Sequence, residues 1–157
     1  MEQTPIFIFD RDDNLRLVLE PKTYTAPETK ERPLVYINGV YVEELNGQET
    51  LEFEVPYTKK DDEVAWIEGD GRAVIGNQDG DLVEFIIREV HDENGEAGLV
   101  KRVFCEAAEY ELNDEWLTGY APGTPVTLRT ALGSLLQGTR FEPGEIMASE
   151  LRTVNLG

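Results

Sequence analysis

The chain is 157 residues long, 40% apolar and 29% charged, a balance that supports a packed core and excludes disorder throughout. Its 32 acids against 14 Lys and Arg leave a formal net charge of −18, which excludes a surface built to grip nucleic-acid phosphates or an anionic leaflet. The start, Met1-Glu2-Gln3-Thr4-Pro5, has no basic region and no long apolar run, so neither a signal peptide nor a membrane span is expected, and synthesis in a cytoplasm is.

Pro5 to Phe9 reads as a short strand, Asp10 to Asn14 as a turn, and Leu15, Leu17 and Leu19 as the return strand of an N-terminal hairpin. Residues 20–33 hold Pro21, Pro27 and Pro33 and read as an irregular or edge segment. Leu34 to Ile37 is a strand, Asn38-Gly39 a hairpin turn, and Val40 to Val42 its partner. Asn46-Gly47 is a second such turn. After it, Leu51, Phe53 and Val55 alternate with Glu52 and Glu54, giving a half-buried strand with an acidic outer face that Pro56 ends.

Further on, Lys59 to Glu63 is polar and Val64 to Ile67 a short apolar run. Gly69-Asp70-Gly71 turns, Arg72 to Ile75 extends, and Gly76 to Asp81 turns again. Leu82 to Val90 is the clearest strand, with Val83, Phe85 and Ile87 on one face and Glu84, Ile86 and Arg88 on the other. A loop from His91 to Glu96 then leads into Leu99–Cys105, so that 82–105 forms a long hairpin. Glu106 to Leu112 reads as one or two helical turns, followed by an irregular stretch anchored by Trp116 and Tyr120. One amphipathic helix is expected over 125–137: Leu128, Ala131, Leu132, Leu135 and Leu136 make its stripe. Thr124 caps it, Pro125 opens it and Gly138 stops it, while Gly133 inside it marks close packing. The chain then runs to Leu156-Gly157 without a finishing element, as a fragment of a longer protein would. The expected class is mainly β (α+β): an antiparallel barrel-like domain over 1–115 and the start of a second domain over 120–157.

No catalytic constellation is visible. His91 is the sole histidine, no nucleophile-elbow motif accompanies it, and it reads as a solvated loop residue. Cys105 is the sole cysteine, which excludes an internal disulfide, and its apolar neighbours Val103 and Phe104 make it a buried, inert thiol. Asp10, Asp12 and Asp13 cluster, as do Asp79, Asp81 and Glu84, but neither spacing matches the twelve-residue calcium loop. Solvated acids on turns are the simpler reading. No phosphate-cradling glycine motif and no basic patch with interleaved aromatics occurs. No catalytic, cofactor or metal residues are expected, and function should lie in surfaces.

Read in order, five segments resemble one family. They are Ile6 to Asn14, Glu44 to Pro56, Phe85 to Val90, Val103 to Leu112, and Leu128 to Gly138 with Thr139 to Gly144. Together they resemble the N-terminal region of phage minor structural proteins, the prophage endopeptidase tail or tail-associated lysin family, itself similar to the baseplate hub of T-even phages. The resemblance implies a barrel-like fold akin to tail-tube proteins and a structural role at a tail tip in the virion. It implies a homotrimer that continues the tail tube, with the distal tail protein, the tape-measure protein and other tip proteins as partners, and no membrane binding. DNA would pass through such a ring without being held, and Glu52 and Glu54 are candidates for its acidic wall. Any peptidoglycan hydrolase would lie beyond residue 157. The alternatives are such a tail-associated hydrolase, or a stand-alone acidic module that binds a basic partner.

Overall fold

Alternating apolar side chains give each strand of the N-terminal unit an inward face, and seven strands bend until the two ends of the sheet meet. The computed structural model describes residues 4–22, 33–44, 49–77, 80–95, 98–114, 126–144 and 153–154. These fall into two units, Met1–Glu111 and Leu112–Gly157. In the first, β1 (Ile6–Phe9), β2 (Leu15–Pro21), β3 (Val35–Val42), β4 (Thr50–Tyr57), β5 (Arg72–Gly76), β6 (Leu82–Gly95) and β7 (Gly98–Ala107) form a closed barrel. The order around it is β1-β2-β3-β4-β7-β6-β5. The protein is thus mainly β, with one helix near its C-terminus. All pairings but one are antiparallel. The exception is the β2–β3 seam, a parallel pair of two residues, Glu20↔Val35 and Pro21↔Tyr36.

The interior is solid. Ile6, Ile8, Leu19, Leu51, Phe53, Val55, Ala73, Ile75, Phe85, Ile87 and Cys105 are all buried in one cluster. The period-2 side-chain alternation of a strand delivers every second residue to this face. Tyr36 meets Phe53 edge-on with centroids 6.5 Å apart, and Tyr41 meets Phe85 at 6.0 Å. Both are the offset geometry that ring quadrupoles favour. The Tyr36 hydroxyl donates to the Thr4 carbonyl at 2.7 Å, so its polar end is satisfied. A short 3₁₀ helix, Asp62–Trp66, adds Val64 to this cluster and is followed by buried Ile67.

Three sequence expectations change within the barrel. Asn38-Gly39 does not turn: β3 runs straight through it, and Ile37↔Glu54 is followed by Val40↔Glu52, one residue too many. This is a β-bulge, and Asn38 takes the left-handed φ of 52° that asparagine tolerates. The dipeptide that favours a hairpin turn also satisfies a bulge, and only pairing with β4 decides between them. Pro56 does not end its strand but pairs with Val100 inside β4. β3 pairs with β4 only as far as Glu54, so Pro56 sits where β4 has become an edge and a missing N–H is tolerated. His91 to Asn94 is not a loop. The ladder continues from His91↔Arg102 to Gly95↔Gly98, held by cross-strand charge pairs. The acidic composition suggested a loop; the basic strand opposite it makes a ladder.

The N-terminal hairpin and the long β6–β7 hairpin form as expected, as do the turns at Gly69-Asp70-Gly71 and before Leu82. Asn46-Gly47, Trp116 and Tyr120 lie outside the described residues. Ala108–Asp114 is a 3₁₀ helix.

In the second unit, β8 (Val126–Thr127) pairs antiparallel with β9 (Thr153–Val154), and α1 spans Leu128–Leu135. The helix is therefore shorter than the expected 125–137. Val126 and Thr127 are extended, and the Thr127 hydroxyl accepts from the Thr130 N–H at 3.2 Å, so Thr127 is the cap. The expected cap Thr124 and opening Pro125 lie outside the described residues. Gly138 has a φ of 92° just past the helix, as a stop signal requires. Gly133 does not mark close packing, because a methyl group added there meets no atom within 4 Å.

Two predictions follow from these packing facts. Phe53→Ala empties the centre of the barrel and should cost about 3–5 kcal/mol of unfolding free energy, read by urea denaturation. Gly133→Ala should stabilise α1 by about 0.5–1 kcal/mol, read as slower amide exchange over 131–136.

Candidate interaction surfaces

The buried cluster fills the barrel interior, and the outer faces carry the remaining candidate residues. Glu52 and Glu54, the candidate channel acids, do point outward from β4, but their surroundings differ. Glu52 is exposed and lies in register between Val40 on β3 and Phe104 on β7. Glu54 is half-buried: its carboxylate accepts from Asn38 Nδ2 at 2.8 Å and meets Arg102 Nε at 3.0 Å. Arg102 also reaches Glu93 at 3.3 Å. The charge of Glu54 is thus largely neutralised where it stands, whereas among the described residues Glu52 meets no Lys or Arg.

A second polar group was not foreseen. Lys101 is buried, pointing inward in phase with Val103 and Cys105. Its ammonium meets Asp92 at 2.9 Å and lies 5.9 Å from the Tyr57 ring centroid. The Tyr57 hydroxyl donates to the same carboxylate at 2.9 Å. The Lys101 hydrogen bond holds Asp92 below the usual carboxylate range, and the bond to Asp92 pushes the Tyr57 phenol up. A buried lysine stays charged only when so paired. The signal was present in the sequence as a lysine in the apolar phase of a strand.

The Asp10 cluster is a structural clamp. Asp10 is buried, and its carboxylate accepts from the N–H groups of Asp12 and Asn14, both at 2.9 Å, and from Arg16 Nε at 2.6 Å. These bonds, first that from the Asn14 N–H, lower its pKa to about 2. Asp13, at a φ of 63°, meets the Arg72 guanidinium, which also reaches Glu84 at 3.3 Å. Arg11 donates twice to the Gly69 carbonyl, at 3.0 and 2.9 Å. The loop after β1 is thereby tied to the turn before β5. Gly71 in that turn has no room for a side chain, since an added Cβ would stand 3.0 Å from the Phe9 carbonyl oxygen.

Among the described residues no group of three or more His, Cys, Asp or Glu is arranged to hold a metal. Asp79 lies outside them, while Asp81 donates its N–H to Asn77 Oδ1 at 2.8 Å in a hairpin turn. His91 is exposed on β6 beside Glu89, at 3.2 Å. Cys105 is fully buried, and burial pushes its thiol far up. The two face opposite sides of the sheet, so they form no dyad.

Two outer faces carry apolar side chains. Phe7, Phe9, Leu15, Val18 and Val74 share one across β1, β2 and β5. Ile37, Val40 and Val42 make a row on β3. Between Val40 and Val42, the Tyr41 phenol is pushed up to about 12 by burial and by the charges of Glu49 and Glu43. Glu49 is itself raised by burial and by Glu109 and Glu43.

The Asp10 clamp predicts a pH dependence. A carboxylate with a lowered pKa contributes stability that is complete above its unfolded value and lost as pH falls through the folded one. For Asp10 that window runs from the ordinary value of 3.8 down to about 2. Asp10→Asn should lower the thermal midpoint at pH 7 and flatten its fall across that window, relative to the parent chain, in melts recorded against pH.

Residues 17–107 match the family described as the prophage endopeptidase tail N-terminal domain. No curated protein and no solved structure matches the chain. The matched segment runs from the middle of β2 to the last residue of β7, so it coincides with the barrel, to which β1 adds one strand. Since the match covers more than half of the sequence, the chain belongs to the prophage endopeptidase tail N-terminal domain family and is a component of a prophage tail.

Proposed function

We propose that this chain is a structural part of the tail tip, a baseplate hub subunit that assembles as a homotrimer. In that ring it continues the tail tube and connects it to the distal tail protein, the tape-measure protein and other tip proteins. The observation that carries the reading is the coincidence of the family match with a closed barrel whose outside, not inside, offers apolar surface. A domain with a filled interior and apolar rows on its outer strands is suited to packing against neighbours.

A DNA channel in such a ring runs between barrels, along outer faces, because no barrel contains one. The net charge of −18 suits that role: negative walls repel phosphate and let DNA slide past. Of the two candidate wall residues, Glu52 keeps its full charge and Glu54 shares its own with Arg102. The matched domain is the family's N-terminal tail domain, and in this reading any endopeptidase activity belongs to another part of a longer protein.

Sedimentation equilibrium of the chain, over concentrations up to the high micromolar range, tests the assembly. A mass that rises with concentration to that of three chains is expected. A strict monomer across the whole range overturns self-assembly through this chain.

A further inference from the structure

Strand β3 is uncharged and, among the described residues, is unpaired along most of one side and lies beside acids that meet no Lys or Arg. None of its eight residues, Val35–Val42, is charged, in a chain of which 29% is. β2 pairs with it only at Val35 and Tyr36, so among the described residues no strand covers that side from Ile37 onward. Val40 and Val42 are 52% and 39% exposed. The edge that β6 offers past its pairing with β5 is different, because Glu89, His91, Asp92 and Glu93 guard it with charge. Charged residues are the usual protection of a free edge against added strands. β3 has only its bulge, which leaves Val40–Val42 as regular ladder.

The acids around this edge are also distinct. Glu54, which faces Ile37 of β3, and Asp92, Glu93 and Glu106 farther across the sheet each meet an Arg or Lys. Next to β3, Glu43, Glu44 and Glu52 are exposed, and among the described residues no Lys or Arg comes within 4 Å of them. We propose that the β3 edge takes up an extended, basic segment of another protein as an added strand. Main-chain bonds along Val40–Val42 give the pairing, and Lys or Arg side chains on the outer face lay their stems over Val40 and Val42 and reach Glu44 and Glu52. A second copy paired through its own β3 is the wrong occupant on charge, since it would bring its Glu43, Glu44 and Glu52 against the same acids. The inference rests on the reading of the chain as an assembly component, not on the trimer. It turns Glu52 toward a protein neighbour rather than a channel.

The test uses the full chain and two soluble probe peptides, one alternating Lys and Val, the other alternating Glu and Val. Amide hydrogen exchange should show protection confined to residues 39–44 with the Lys-Val peptide and none with the Glu-Val peptide. The double variant Val40→Lys, Glu52→Lys changes only outward-facing side chains and should keep the parental thermal midpoint while weakening the Lys-Val peptide by about tenfold or more. Absence of protection at 39–44, equal protection by the acidic peptide, or undiminished binding by the variant overturns the proposal. Protection at 39–44 that rises with chain concentration alone makes a second copy the occupant and overturns it as well. A trimer in sedimentation stands or falls independently of all four outcomes.

Discussion

A sheet of seven strands closes on itself only if its inner face can be filled, and here Phe53, Phe85, Leu51, Ile87 and their neighbours fill it. That closure sets most other features. Among the described residues it leaves most acids outside or in a bond, and it fills the interior with apolar side chains. It also makes the β2–β3 seam necessary. Two parallel pairs suffice to close the ring, and the rest of β3 is left exposed on that side among the described residues.

Electrostatics then works around the closed barrel. Most carboxylates stay in solvent, where the net charge costs little. The two buried charged groups, Asp10 and Lys101, are each fully engaged. Asp10 organises a loop by accepting backbone N–H bonds, and Lys101 carries its ammonium to Asp92 at the barrel's end. Cross-strand ion pairs such as Arg88–Glu106 at 3.1 Å hold the β6–β7 hairpin in register on the outer face. The register itself is set by a bulge between Ile87 and Glu89, which returns Val90 to the inner side.

This division suits a tail component. Among the described residues Cys105 is buried and His91 is exposed on the opposite side of the sheet. What the barrel presents instead is surface, apolar on β1, β2 and β5, apolar and uncharged on β3, and acidic elsewhere. A tail component that packs against its neighbours through its outside needs these properties more than it needs a pocket.

Much of this was legible in the sequence. Period-2 alternation located β4, β6 and β7 and the inward row Leu51, Phe53 and Val55, because side-chain direction in a strand is a local property. The ordered family segments and the acidic balance were legible for the same reason. The bulge at Asn38-Gly39, the continuation of β4 through Pro56 and the ladder through His91 were not. Each depends on which strand lies alongside, and pairing partners are distant in sequence. The helix start was misplaced because Thr124 and Thr127 are equally good caps locally, and pairing of Val126–Thr127 with β9 decides for the second. The different fates of Glu52 and Glu54, two residues apart on one face, were set by Arg102 arriving from β7 beside only one of them. The sequence by itself determined which faces are apolar and how negative the surface is; only the closed barrel decided which acids remain unneutralised and which edge stays open, because both are contacts between segments that the chain brings together from far apart.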